Sequence, residues 1–133
     1  MSAEQSLKNS FTYFGILAML EGFTLLILPN LATKLLFLLP LQSAQAEQYA
    51  RATGLGLMVI GYYYYIAGKN TLIPFFRASV IGRLFVLPLM VILIYVYSLE
   101  TSFIIFGIQD LLTGLYSYIH LKAYDAEQAK TRK

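Results

Sequence analysis

Four long apolar segments alternate with short polar stretches along the chain. They cover residues 11–28, 49–67, 75–97 and 102–121. Each is close to the roughly 20 residues that a helix needs to cross the hydrocarbon core of a bilayer. The pattern therefore predicts an all-α fold, an integral membrane four-helix bundle that forms a single transmembrane domain over residues 1–133.

Turn-forming and polar residues separate these segments. Pro29-Asn30 ends the first segment, Gly68-Lys69-Asn70 closes the second, and Pro74 begins the third. The tail over residues 122–133 is polar and charged, which predicts a cytoplasmic extension of the last helix. The first segment is longer than the apolar run of about 7 to 15 residues in a signal peptide, and no small-residue cleavage site follows it, so we expect a retained helix.

The connection between the first and second segments is itself apolar. It contains "LATKLLFLLPLQ", residues 31–42, which is too short to span a bilayer and is interrupted by Pro40. Such a stretch is typical of a short interfacial or re-entrant segment on the membrane surface. An ordinary structured loop is the alternative, and the sequence does not decide between them.

Composition agrees with a membrane location. Apolar residues make up 58% of the chain and charged residues only 13%, and the mean hydropathy is +0.63. About a quarter of the residues of a soluble domain are charged. The net charge of +3 comes from scattered Lys and Arg residues, so no nucleic-acid interface is predicted. The lipid bilayer is the first expected partner.

The sequence lacks the residues of most cofactor and metal sites. It has no cysteine, and His120 is its single histidine. Thiol catalysis and iron-sulfur ligation are thereby excluded, and a zinc or copper site is not expected. The glycines at 54, 56 and 61 do not match the dinucleotide-binding spacing. We therefore predict no metal and no cofactor; enzyme activity stays open, although a non-enzymatic protein is favoured.

The positive charges predict the orientation of the chain. Lys and Arg residues concentrate on the cytoplasmic side of membrane proteins. In the predicted topology, both termini share one side with the loop between the second and third helices. That side carries Lys8, Lys69, Arg77, Lys122, Lys130, Arg132 and Lys133, whereas the opposite side carries Lys34 and Arg51. We expect both termini to lie in the cytoplasm.

Four ionisable residues fall inside the predicted spans. At about 1.5 Å per residue, Glu21, Arg83 and Asp110 each lie roughly 12 to 16 Å from the cytoplasmic end of their helix. Arg51 enters its helix from the other end, and its long side chain is expected to reach inward. Because a buried ion needs an opposite partner, we predict that the four form a neutral cluster between helices. Small residues flank the charges, among them Gly82 beside Arg83, as expected for an inward face.

The cluster has two interpretations, and they do not exclude each other. It either locks the fold or forms a functional polar pocket, since ionisable residues inside a membrane are candidates for function. The run "GYYYYIAG", residues 61–68, offers hydroxyl groups close by. These tyrosines are typical of an aromatic belt at the interface. Alternatively, Tyr62 or Tyr65 points into the pocket.

Several stretches resemble a known group of proteins. They are "GILAMLEGFTLLILP", "YARATGLGLMVIGYYYYIAG", "PFFRASVIGRLFV" and "FGIQDLLTGLYSYI". Together they are similar to small bacterial four-helix inner-membrane proteins of DoxX-like character, many of them uncharacterised. The resemblance implies a bundle in a bacterial inner membrane and draws attention to Arg51, Arg83 and Asp110. DoxX is associated with a quinone-linked oxidoreductase, but no cofactor motif is present, so no activity is carried over.

These observations lead to one function hypothesis and two alternatives. The chain is expected to bind a small amphiphile, such as a lipid or a quinone-like headgroup, or a partner membrane subunit. Arg51 and Arg83 would contact an anionic or carbonyl group, and Glu21 and Asp110 would orient them. The alternatives are a small proton-coupled transporter, expected to be a homo-oligomer, and a membrane redox subunit or enzyme.

Overall fold

Helices form nearly the whole of the chain in the computed structural model, which describes residues 2–131. Within that range the fold is all-α, as predicted, and contains no strand. The helices are α1 (Ala3–Ile27), α2 (Pro29–Leu35), α3 (Ala44–Asn70), α4 (Ile73–Tyr97) and α5 (Ile104–Thr131), with a short 3-10 turn at Thr101–Phe103 before α5.

Most long helices extend beyond the apolar segments that predicted them. The hydroxyl of Ser2 accepts a hydrogen bond from the backbone N–H of Gln5, so α1 begins well before residue 11. The Ser43 hydroxyl caps α3 in the same way at Ala46. At the carboxyl end, α5 continues through most of the predicted polar tail; Arg132 and Lys133 lie outside the described residues. Apolar length thus located the helices, but the caps set where they begin.

Three helices are long and apolar enough to cross a membrane within residues 2–131. They are α1, α4 and α5 together with the turn before it. Their length and composition suggest a membrane protein. The fourth predicted span, residues 49–67, lies in α3, which falls below the same criterion because its glycines and tyrosines lower the mean hydropathy. Hydropathy alone therefore supports three spans rather than four.

The apolar connection after α1 forms a short helix and a loop. Helix α2 buries Pro29, Ala32 and Thr33, and it packs against α1. Phe37, in the loop that follows, has a positive φ of 57° and is 79% exposed. The backbone N–H of Leu39 donates to Oε1 of Glu100 at 2.7 Å, which fastens this loop to the connection between α4 and α5.

Glycines bring α1 and α3 together backbone to backbone. The two helices run antiparallel, with Gly15 opposite Gly61 and Gly22 opposite Gly54. A Cβ atom on Gly61 would lie 2.7 Å from the backbone nitrogen of Met19 and 2.8 Å from the carbonyl oxygen of Gly15. No larger residue fits there without separating the helices.

Two further glycines behave differently from the sequence interpretation. Gly68, expected to close the second helix, lies inside α3 and packs against Thr12 of α1. Gly82, expected on the inward face beside Arg83, is exposed, and a Cβ atom there would have no neighbour within 4 Å. The same open space surrounds Gly56. Small residues therefore mark the packed face of α3 at intervals of seven residues, and not at every glycine.

The largest buried side chains lie in the half of the bundle that contains the chain ends. This core brings together α1, α3, α4 and α5, and its members are Leu7, Phe11, Ala67, Phe76, Val80 and Leu121. The rings of Phe11 and Phe76 stack with centroids 4.0 Å apart. Helices α4 and α5 pack along their length, with Gly114 against the Cβ of Arg83 and Gly107 against Leu87. Arg83 is thereby placed beside the aromatic core.

Candidate functional site

Arg83 of α4 is the most enclosed charged side chain of the described chain, with 3% of its surface exposed. Three aromatic rings surround its guanidinium group. The guanidinium carbon lies 4.2 Å from the ring centroid of Phe14, 5.0 Å from that of Phe11 and 5.3 Å from that of Tyr64. Each distance is within the range of a cation–π interaction. The positive charge is therefore stabilised mainly by ring faces from α1 and α3.

A chain of hydroxyl groups holds one edge of the same guanidinium. Nη2 of Arg83 donates to Oγ of Ser117 at 3.1 Å, and the Ser117 and Ser10 hydroxyls lie 3.2 Å apart. Ser10 in turn donates to the carbonyl oxygen of Leu7 at 2.8 Å. The buried Nε and Nη1 atoms have no hydrogen-bond partner within residues 2–131. We call Arg83, Phe11, Phe14, Tyr64 and Ser117 the Arg83 centre.

The tyrosine that enters this centre is Tyr64, which the sequence interpretation missed. Its hydroxyl oxygen accepts a hydrogen bond from Ser79 at 2.7 Å. Tyr62, one of the two proposed, is 53% exposed, and Tyr65 lies under the Lys69 ammonium, 5.6 Å from its ring centroid. Residues three or four positions from Gly61 and Gly68 share their helix face. That spacing selects residues 64 and 65 but does not separate them.

Glu21 takes a neutral partner from α5. Its Oε2 atom accepts a hydrogen bond from Nε2 of Gln109 at 3.2 Å, and both Glu21 and the adjacent Asp110 are partly buried. Asp110 is not within ion-pair distance of Arg83. Gln109 is uncharged, so the prediction that each buried ion pairs with an opposite charge did not identify it.

Arg51 does not join the other three residues. Its Nη1 atom donates to the carbonyl oxygens of Leu26 and Ile27 at 2.6 and 3.2 Å, and its Nη2 atom lies 4.0 Å from Glu47. The last carbonyls of a helix lack partners within the helix and carry a partial negative charge. Arg51 therefore remains at the end of α1, and the expectation that it reaches inward is wrong.

The predicted ion pairing is also wrong for the remaining residues. The structure of residues 2–131 contains two ion pairs, Arg51–Glu47 and Arg77–Asp125, and both are partly exposed. The predicted cluster is instead divided into the aromatic Arg83 centre, the Glu21–Gln109 contact with Asp110 beside it, and the Arg51 cap. Residues at one depth in separate helices pair only if the helices turn them toward each other. Whether these residues bind a ligand stays a prediction.

Two hollows lie at the surface of the bundle. One, of about 210 Å³, lies between α1 and α2 and is lined by Leu20, Glu21, Thr24, Ala32, Leu35 and Leu36. The other, of about 320 Å³, lies near the chain ends and is lined by Ile73, Arg77, Tyr124, Asp125, Gln128 and Ala129. No three His, Asp or Glu side chains of the described range come together as metal ligands.

Comparison with protein-family models, curated proteins and solved structures gives no match for this chain. The resemblance to DoxX-like proteins therefore stays a prediction that rests on the quoted sequence stretches alone.

Proposed function

We propose that the chain is a four-span integral membrane protein that binds a small amphiphile at the Arg83 centre. The headgroup would be anionic or carry a carbonyl, as in a phospholipid or a quinone. The observation that carries this proposal is that two buried nitrogen atoms of Arg83, Nε and Nη1, lack an acceptor for their N–H groups within the described chain. An oxygen atom of a ligand would satisfy them.

The energetics of burial favour an additional acceptor at Arg83. A guanidinium always carries its charge, and it has five N–H donors in its plane. Each aromatic face contributes about 0.5 to 2 kcal/mol to a buried cation. The face of an aromatic ring is a weaker hydrogen-bond acceptor than an oxygen atom, so the ring contacts do not replace an oxygen acceptor for these N–H groups. An unsatisfied buried donor costs about 1 to 3 kcal/mol, and more on a charged group.

Helix α3 is the proposed fourth span because it follows α1 across the bilayer. Their contacts extend from Thr12–Gly68 at one end to Gly22–Gly54 at the other. The 14 residues between Gly54 and Gly68 cover about 21 Å of helix. If α1 crosses the hydrocarbon, a partner in backbone contact over this distance crosses it as well. Burial of the glycine face against α1 offsets the lower hydropathy of α3.

The proposed location is a bacterial inner membrane with both termini in the cytoplasm. The support is the bias of Lys and Arg toward the side of the termini, together with the DoxX-like stretches. Within the described residues, that side retains Lys8, Lys69, Arg77, Lys122 and Lys130. The opposite side has Lys34 and Arg51, and the latter is already used to cap α1.

Native mass spectrometry of the detergent-purified protein tests the amphiphile proposal. The probes are phosphatidylglycerol and a short-chain ubiquinone, added separately to the wild type, to Arg83→Met and to Arg77→Met. We expect the wild type and Arg77→Met to bind one probe with equal affinity, and Arg83→Met to bind it at least tenfold more weakly. Arg77 is the matched control because it is an exposed arginine of the same helix.

Three results would contradict the proposal. Equal binding by the wild type and Arg83→Met would show that Arg83 makes no contact with the headgroup. Loss of binding in Arg77→Met alone would place the lipid at the surface near Asp125, the partner of Arg77. An unliganded wild type in the presence of both probes would leave Arg83 a structural residue.

Partly buried acids inside the bundle favour proton-coupled transport as a second candidate. Glu21 and Asp110 lie on neighbouring helices and are not ion-paired within residues 2–131. Intramembrane carboxyl groups commonly carry protons in transporters. Proton flux into liposomes should then fall with Glu21→Gln or Asp110→Asn, and flux unchanged by both would contradict it. The redox alternative has no supporting residue arrangement in the described chain.

A further inference from the structure

The hollow between α1 and α2 has the form of a site for the end of a single alkyl chain. Its walls are apolar except for Glu21 and Thr24. Its rim opens toward the surroundings of the bundle, because Leu20 of α1 and Leu35 of α2 are 60% and 62% exposed. If α1 crosses the membrane, this rim faces hydrocarbon. We call this hollow the Glu21 groove.

A single carboxylate gives the groove its charge. One oxygen of Glu21 is oriented by Gln109, and the hydroxyl of Thr24 is already used, because it donates to the carbonyl of Leu20. No Lys, Arg or His side chain within residues 2–131 lies at ion-pair distance from Glu21. Lys34, the basic residue of α2, is exposed and makes no ion pair. A negative group in an apolar groove lacks a cationic partner.

We propose that the Glu21 groove binds the ammonium end of a single-chain cationic amphiphile, an alkylamine. The ammonium would pair with the free carboxylate oxygen, and the first methylene groups would lie against Leu20, Leu35 and Leu36. The groove volume of about 210 Å³ holds an ammonium and a short part of a chain. The rest of the chain would continue through the exposed rim into the acyl layer.

The groove and the Arg83 centre require opposite headgroups. Phosphate, carboxylate and carbonyl oxygens suit Arg83, whereas Glu21 repels an anion and attracts a cation. The two proposals are independent of each other, since a different residue carries each. An experiment that uses both kinds of probe can therefore tell the failure of one from the failure of the other.

The test is a titration of the purified protein with dodecylamine, monitored by native mass spectrometry in a nonionic detergent. Dodecanol is the uncharged probe of the same chain length. We expect dodecylamine to bind the wild type at least tenfold more tightly than dodecanol. Glu21→Gln should remove this preference, whereas Glu4→Gln should keep it, because Glu4 is an exposed acid in the first turn of the same helix.

A second pair of variants tests the apolar wall without changing any charge. Leu35→Ala should weaken dodecylamine binding about threefold to tenfold, because the alkyl chain loses apolar surface to pack against. Leu39→Ala is the control because Leu39 is similarly exposed but lies outside the groove. This pair remains informative even if Glu21→Gln alters the contact with Gln109 and thereby the packing of α5.

Three outcomes would overturn the proposal. The first is equal binding of dodecylamine by the wild type and Glu21→Gln. The second is binding of dodecanol as tight as that of dodecylamine, and the third is a loss of binding in Leu39→Ala as large as in Leu35→Ala. Arg83→Met should retain dodecylamine binding. If that variant loses the alkylamine but not phosphatidylglycerol, both assignments of headgroup to residue are wrong.

Discussion

The Arg83 centre and the Glu21 groove hold opposite charges in different surroundings. The guanidinium of Arg83 lies over the rings of Phe11, Phe14 and Tyr64, and 3% of the residue's surface is exposed. Glu21 is only partly buried, beside an open groove, and it takes a hydrogen bond from Gln109. The faces of aromatic rings are negative, so they attract a cation and repel a carboxylate. An aromatic core can therefore enclose an arginine, whereas a carboxylate needs N–H donors or an opening.

The helix contacts explain why both sites depend on α1. This helix supplies Phe11 and Phe14 to one site and Glu21 to the other, and its orientation is fixed by the glycine contacts with α3. The core of large side chains lies on the Arg83 side alone. The two sites thus share a scaffold but differ in how closely that scaffold surrounds them. Substitutions can alter the scaffold or each site separately.

Gly61→Val should disrupt both the Arg83 centre and the Glu21 groove, because it separates α1 from α3. It has the largest expected effect. The new side chain would meet the backbone of Met19 and Gly15, which cannot move as a flexible side chain would. We expect a loss of about 3 kcal/mol or more in the free energy of unfolding. The measurement is an SDS titration of the protein in mixed micelles, followed by circular dichroism. Gly56→Val is the control, and an equal loss there would contradict the paired-glycine interface.

Ser117→Ala should destabilise the Arg83 side alone. Ser117 is the acceptor of the hydrogen bond from Nη2 of Arg83, and its removal leaves that buried edge of the guanidinium without a partner. The expected loss is about 2 kcal/mol in the same titration. Ser102→Ala, in the turn before α5, should change stability by less than about 0.5 kcal/mol. A Ser117→Ala protein as stable as the wild type would mean that an unidentified acceptor already satisfies Arg83.

Tyr64→Phe has a smaller expected effect because the ring remains over the guanidinium. The change removes the acceptor for the Ser79 hydroxyl, which is buried. We expect a loss of about 1 kcal/mol in the free energy of unfolding. Tyr62→Phe, at an exposed neighbour in the same run, should change it by less than about 0.5 kcal/mol. A larger loss in Tyr62→Phe than in Tyr64→Phe would favour Tyr62 as the pocket tyrosine, which is one of the two that the sequence suggested.

Arg83→Met should have the smallest effect on stability, although it removes the charge at the centre. The ring contacts and the Ser117 hydrogen bond are lost, but so are the two unsatisfied donors and the cost of burying an ion. These contributions oppose each other, and we expect a net change within about 1 kcal/mol. If Arg83 were ion-paired with a buried acid, its replacement would leave that acid unpaired, and the free energy of unfolding would fall by about 3 to 5 kcal/mol. The unfolding titration distinguishes these values.

The sequence located the helices better than it identified their contacts. The apolar segments correctly placed the four long helices, because bilayer-length apolar runs leave few alternatives. The sequence did not decide whether the connection after the first helix is helical, and α2 forms there. It missed Ser2 and Ser43 as caps, which lie outside those runs. The two caps depend on a local hydroxyl and not on apolar length. The status of α3 as a span is left to its contacts, since its own hydropathy is too low.

The candidate site shows where sequence reasoning stops. The free-energy cost of burying a charge is enough to indicate that Glu21 and Arg83 need partners. The charge pattern predicted acidic partners for Arg83, whereas in the structure Arg83 contacts Phe11, Phe14 and Tyr64. Aromatic residues are so frequent in this chain that no spacing distinguishes these three. An uncharged partner leaves no signature in the charge pattern.

The amino-acid sequence by itself determined that apolar helices of bilayer length form, and that a few charged residues lie within them. Only the tertiary structure decided which way each helix turns about its axis. Gly54 and Gly56 differ by two positions, yet the first contacts α1 and the second faces open space. A rotation of this kind is fixed by contacts between residues far apart in the chain. The rotation of α4 likewise turns Arg83 toward aromatic rings, and that of α1 turns Glu21 toward Gln109.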